Sequence, residues 1–150
     1  MVTLNCHCQE PESLYAIRAI ANHNSKRRML SWFKKRKIVI KNKDELIHTM
    51  SRIVNILGDN DYEAQADAVR KPLKFLHNDD TTNFIKYLNT VDIWGGSGAA
   101  WEVYLQPKKL ELEFMKCIVD LIEDLKQTGI KIRGTKSISN YFKEEISKAK

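Results

Sequence analysis

No stretch of this chain approaches the roughly 18 uninterrupted apolar residues that a membrane-crossing helix needs. The opening run Met1-Val2-Thr3-Leu4-Asn5-Cys6 lacks a basic stretch leading into an apolar one, so it does not read as a secretory signal. Cysteine is scarce, three in 150 residues, and an odd number without framework spacing suits a reducing compartment rather than a disulfide scaffold. Internal repeats and low-complexity tracts are missing too. These absences predict a cytoplasmic protein with no membrane span. Metal chemistry also lacks its parts: Cys6-His7-Cys8 is too tightly spaced for a zinc knuckle, has no matching Cys/His pair downstream, and has only His23 nearby. No metal and no cofactor is expected.

What is present is ordinary for a folded domain, with 43% hydrophobic and 29% charged residues on a chain long enough for one core. Charge, in contrast, is unevenly placed. The formal net charge is +6. Residues 26 to 43 carry nine cations and no acid (Lys26, Arg27, Arg28, Lys34, Lys35, Arg36, Lys37, Lys41 and Lys43). Residues 44 to 150 carry 15 basic against 17 acidic residues, so basicity belongs to one segment and not to the whole chain.

Apolar spacing is helical almost throughout. Leu46, Ile47, Met50, Ile53, Val54 and Leu57 line one helix face, with Asn42 and Glu45 placed as a capping box and Gly58 as a left-handed stop. A second helix is predicted from Asn60, capped by Glu63, with Tyr62, Ala66, Val69, Leu73 and Leu76 inward; Pro72 either kinks it or divides it. Phe84, Ile85 and Leu88 follow the cap-like run Asn78-Asp79-Asp80-Thr81-Thr82. The longest helix should run from Lys108 to Gln127 between Pro107 and Gly129, burying Leu110, Phe114, Cys117, Ile118, Leu121, Ile122 and Leu125. Ile130 to Arg133 could be extended, and a last helix after Ser137 should turn Ile138, Tyr141, Phe142 and Ile146 inward. Residues 11 to 24 and 26 to 36 also keep helical spacing. The expectation is one mainly α, compact domain of about five to seven helices with at most a short strand or hairpin. Within it, residues 44 to 150 would form a helical core, able to fold alone, and residues 1 to 43 an N-terminal extension.

One stretch does not read as routine helix packing: Val91-Asp92-Ile93-Trp94-Gly95-Gly96-Ser97-Gly98-Ala99-Ala100-Trp101-Glu102. Half of the six glycines and two of the three tryptophans fall here. Glycine density permits positive φ and close backbone approach. The segment is either a shaped loop whose bare N–H groups and flanking indoles contact a partner or an anion, or a tight internal turn with both indoles packed. It is not a phosphate-binding loop, because Ala99-Ala100 stand where Lys and Ser/Thr are required. Nor is it a nucleophile elbow, since Gly95-Gly96-Ser97-Gly98-Ala99 lacks the last glycine and the chain offers no sheet to carry it. No catalytic residue is identified.

The segments Leu57-Gly58-Asp59-Asn60-Asp61 and Val91 to Glu102 resemble a family of small, helical bacterial proteins with a Trp-Gly-Gly-x-Gly turn before an amphipathic helix. Some of these are similar to immunity proteins, which bind and silence toxins. The resemblance covers roughly residues 44 to 128 and implies a protein partner, such as a toxin domain, rather than a reaction. The expected contact residues are Trp94, Gly95, Gly96, Ser97, Gly98, Trp101 and Glu102. The rival expectation uses the basic patch Lys26, Arg27, Arg28, Lys34, Lys35, Arg36 and Lys37, interleaved with Trp32 and Phe33, to grip nucleic acid.

Overall fold

The computed structural model describes residues 39 to 149. Helices expected over residues 11 to 24 and 26 to 36, and the basic patch from Lys26 to Lys37, lie outside the described residues. Within them the chain is all helix and connecting turn, with no strand. Six helices follow in order: α1 (Lys43–Gly58), α2 (Glu63–His77), α3 (Thr81–Leu88), α4 (Val91–Trp94), α5 (Lys108–Gln127) and α6 (Thr135–Lys148). The expected mainly α domain is what the sequence builds.

Helix α1 packs against both α2 and α5, α3 and α4 pack on α2, and α6 packs on α5. Helix α5 therefore packs against both α1 and α6 and buries Met115 and Val119 in addition to Phe114, Cys117, Ile118, Leu121, Ile122 and Leu125. Leu46, Met50, Ile53, Leu57, Phe84 and Leu88 are fully inaccessible, and burial of such side chains stabilises by roughly 1.5–3 kcal/mol each. The compact core also begins earlier than residue 44. Ile40 packs partly against it, the Asn42 side-chain amide donates to the Asp124 carbonyl at 3.1 Å, and Lys43 pairs with Asp79 at 2.6 Å.

Several helix ends differ from the sequence expectation, each for a local reason. Gly58 ends α1 inside the helix, and the left-handed residue is Asp61 at φ 65°. Asn60 does not cap α2; its side-chain amide donates back to the Ile56 carbonyl at 2.7 Å, and the Tyr62 N–H closes on Leu57 O at 3.0 Å. Helix α2 consequently starts at Glu63. Asn42 occupies the N-cap position of α1 but makes no side-chain cap bond: its Nδ2 donates to α5, and its buried Oδ1 accepts no hydrogen bond among the described residues. Pro72 neither divides α2 nor lies exposed; its ring is fully buried, so apolar burial offsets the missing backbone bond.

Other ends follow the expected chemistry. Asp80 caps α3, accepting from the Asn83 backbone N–H at 3.1 Å, and the Asn83 bonds hold its carboxyl below the usual Asp range. Gly129 takes φ 78° after α5, where its N–H reaches Lys126 O at 3.0 Å and the Ile130 N–H reaches Leu125 O at 3.2 Å. That pair of bonds is the Schellman closure, with buried Ile130 and Leu125 supplying its apolar contact. Asp79 repeats it after α2 at φ 56°. Ile130 to Arg133 stays irregular, and α6 starts ahead of Ser137, at Thr135 behind Gly134 at φ 84°.

Candidate functional site

The glycine segment folds as a turn that spends its own polar groups. Helix α4 is one turn long, and the Gly95 N–H bonds Val91 O at 2.7 Å. A Cβ on Gly95 would collide with that carbonyl, so the close approach requires glycine here. Further along, the Ala99 N–H reaches Gly96 O at 2.9 Å, Ala100 reaches Asp92 O at 2.8 Å and Glu102 reaches Ala99 O at 3.0 Å. Four amides that could have faced an anion are thus used inside the turn. Gly98 supplies the positive φ, 86°, and its carbonyl accepts from the Gln65 side chain of α2 at 3.2 Å. Gly96 is exposed with nothing near its missing side chain and has no positive φ.

Both indoles fasten this turn. Trp94 is 8% exposed and its Nε1–H donates to Leu88 O at 2.8 Å, while Trp101 is half-buried and donates to Gly95 O at 2.8 Å. The Trp101 ring also meets Phe142 of α6 edge-on, 6.0 Å between centroids. The backbone then runs as an irregular segment from Glu102 to Gln106, in which Glu102 and Tyr104 are exposed and Leu105 is buried. Tyr62 of α2 donates its hydroxyl to Tyr104 O at 2.7 Å and anchors this segment.

Between this segment and α6 lies a cleft of about 680 Å³. Its lining includes Trp94, Trp101 and Phe142 with Ile138 of α6 and Met115 of α5, and Tyr104 and Tyr141 also border it. Those two tyrosines are 68% and 52% exposed, unusual for large side chains with so much apolar surface. Glu102 and Glu111 are the carboxylates in the lining, and no Lys, Arg or His is among the lining residues. Glu111 pairs with Lys108 at 2.5 Å, one turn earlier on α5.

Of the residues expected to contact a partner, Trp94, Trp101 and Glu102 line this cleft. Gly95, Gly96, Ser97 and Gly98 do not; they form the turn behind it, with Ser97 exposed. Tyr104, Ser137 and Tyr141 were not singled out from sequence. Tyr141 was expected inward beside Phe142, whereas Ile138 and Phe142 are buried and Tyr141 faces out. The alternation of exposed Glu102 and Tyr104 with Val103 and buried Leu105 was the one available signal for Tyr104.

Two other titratable features lie away from the cleft, Cys117 in the core and Asp124 partly buried beside it. Burial pushes the Cys117 thiol up, so it stays protonated. Burial, with Asp120 and Glu45 nearby, also raises Asp124 at the α1–α5 contact, where Thr49 Oγ1 donates to it at 3.5 Å. His48 and His77 are exposed on helices. Among the described residues no group of His, Cys, Asp and Glu is arranged to hold a metal ion, and no helix is long and apolar enough to cross a membrane.

No protein-family model, no curated protein and no solved structure matches the chain.

Proposed function

We propose that this chain is a protein-binding domain of the cytoplasm, in its most concrete form an immunity-type inhibitor that binds and neutralises a toxin. One observation carries the binding role: two largely exposed tyrosines, Tyr104 and Tyr141, border a cleft floored by Trp101, Ile138 and Phe142. Exposed aromatics at the mouth of an apolar concavity are the usual anchoring arrangement of protein interfaces, where Tyr and Trp carry much of the binding energy. The glycine turn contributes by holding Trp94 and Trp101 in place, not by touching the partner.

The immunity reading predicts that a neighbouring reading frame encodes a toxin, and it is tested by expressing that neighbouring product with and without this chain. Growth should be restored by the chain and lost again when Tyr104→Ser and Tyr141→Ser are combined. No rescue by the unaltered chain, with the two proteins failing to co-elute, contradicts it. A second reading is favoured by the nine cations between residues 26 and 43: nucleic-acid binding through that segment. Lys43 is already paired with Asp79, which leaves up to eight for such a role.

A further inference from the structure

A partner seated in the cleft has to present one side chain to its aromatic floor, and the lining discriminates between kinds of side chain. Five aromatic rings line it, from Trp94, Trp101, Tyr104, Tyr141 and Phe142. Ring faces carry negative potential, which attracts a cation placed over them. The carboxylates add to the same sign. Glu111 is offset by Lys108, but exposed Glu102 has no ion pair among the described residues. An aliphatic anchor would gain burial against these walls while stripping water from Glu102 without compensation. A cationic anchor meets both demands. Between the two cationic side chains, the planar, weakly hydrated guanidinium stacks on rings and pairs bidentately with a carboxylate, whereas an ammonium holds its water more strongly.

We propose that the cleft is a receptor for an arginine side chain presented by the partner protein, stacked among Trp101, Tyr104 and Tyr141 and paired with Glu102. This rests on the protein-binding reading above and names the chemistry of the partner at its centre. The cleft has room for more than one side chain at about 680 Å³, so apolar residues flanking the arginine would fill the part against Ile138 and Met115.

The test uses the full chain and two small probes, N-benzoyl-arginine amide and N-benzoyl-citrulline amide, which differ mainly in charge. Each is titrated while the indole N–H resonances of Trp94 and Trp101 are followed by NMR. The arginine probe should shift the Trp101 resonance saturably. The citrulline probe should bind about tenfold more weakly, the combined scale of a cation–π contact and one exposed ion pair. Glu102→Gln, an exposed substitution, should remove only the ion-pair share of that preference and weaken the arginine probe about threefold while leaving the citrulline probe unchanged, and Tyr141→Leu should weaken the arginine probe more than the citrulline probe. Equal affinity of the two probes, indifference to Glu102→Gln, or no shift by either probe up to about 20 mM overturns the arginine assignment. If partner binding still depends on Tyr104 and Tyr141 in that case, the cleft remains an apolar docking site and only its preference for a cation is wrong.

Discussion

The indole N–H of Trp101 donates to the carbonyl of Gly95 at 2.8 Å, so the ring that reaches the cleft also ties down the start of the turn that delivers it. Trp101→Phe keeps most of the ring but leaves that carbonyl without its donor. A loss of about 1 kcal/mol is expected in chemical denaturation, the typical net value of one hydrogen bond. Trp94→Phe should cost more, about 2–3 kcal/mol, because its bond to Leu88 O is buried and the smaller ring leaves space in the core. Equal stability of both variants with the unaltered protein would remove the indoles from the turn's support.

The glycines of the turn are not equivalent, and substitution separates them. Gly95→Ala forces a Cβ into the Val91 carbonyl and should destabilise by about 1–3 kcal/mol. Gly98→Ala, at φ 86°, should cost about 1 kcal/mol. Gly96→Ala meets open space at an unstrained φ and should stay within about 0.5 kcal/mol of the parent. A large effect at Gly96 with none at Gly95 would mean that the turn is built differently.

Much of this architecture was readable from residue pattern, and the failures have physical causes. Helix α5 was readable from end to end, because twenty residues of helical periodicity lie between Pro107 and a left-handed Gly129. The start of α3 was readable from the run Asn78 to Thr82, though not that Asp80 is the residue in it that caps, through Asn83 three residues on. Asn42 and Asn60 misled because an amide can cap a helix or bond elsewhere, and the choice depends on Asp124 and Ile56 being in reach. Glycine spacing announced a turn but not which glycine it needs, since that depends on where the Val91 carbonyl points. The cleft itself was hidden. Tyr141 sits next to Phe142 at the border of the apolar face of α6, and only the angle at which α6 meets α5 decides that one faces out and the other in.

Acid–base behaviour offers an independent check at the α1–α5 contact. Asp124 has a raised pKa, so the folded state holds this proton more tightly than the unfolded chain, whose Asp titrates near 3.8. Its ionisation therefore costs stability at neutral pH, and that cost disappears as pH falls below the unfolded value. Asp124→Asn should raise Tm at pH 7, with a gain that shrinks toward zero near pH 3. A variant less stable at pH 7, or a gain that grows in acid, contradicts the assignment.

Chain truncation locates the edge of the helical core. Removing residues 1 to 38 should leave a cooperative thermal transition, because Ile40, Asn42 and Lys43 and their contacts are retained. Removing residues 1 to 43 should lower Tm measurably, as the Asn42 bond and the Lys43 pair are lost together. Identical transitions for the two truncations would place the edge at residue 44 after all.

The central claim is that the cleft, rather than the glycine run or the basic segment, is the partner-binding face. The dissociation constant for the protein that co-elutes with this chain tests this most directly, measured at physiological salt for the full chain and three variants: Tyr104→Ser with Tyr141→Ser, Gly96→Ala, and Lys34, Lys35, Arg36 and Lys37 to Gln. The account predicts at least about a tenfold weakening from the tyrosine pair with Tm unchanged, no change from Gly96→Ala, and for the Gln variant mainly slower association. Unchanged affinity in the tyrosine pair would contradict it. So would loss confined to the Gln variant together with tight nucleic-acid binding whose log–log salt slope flattens by up to about four contacts, which would assign function to the basic segment instead.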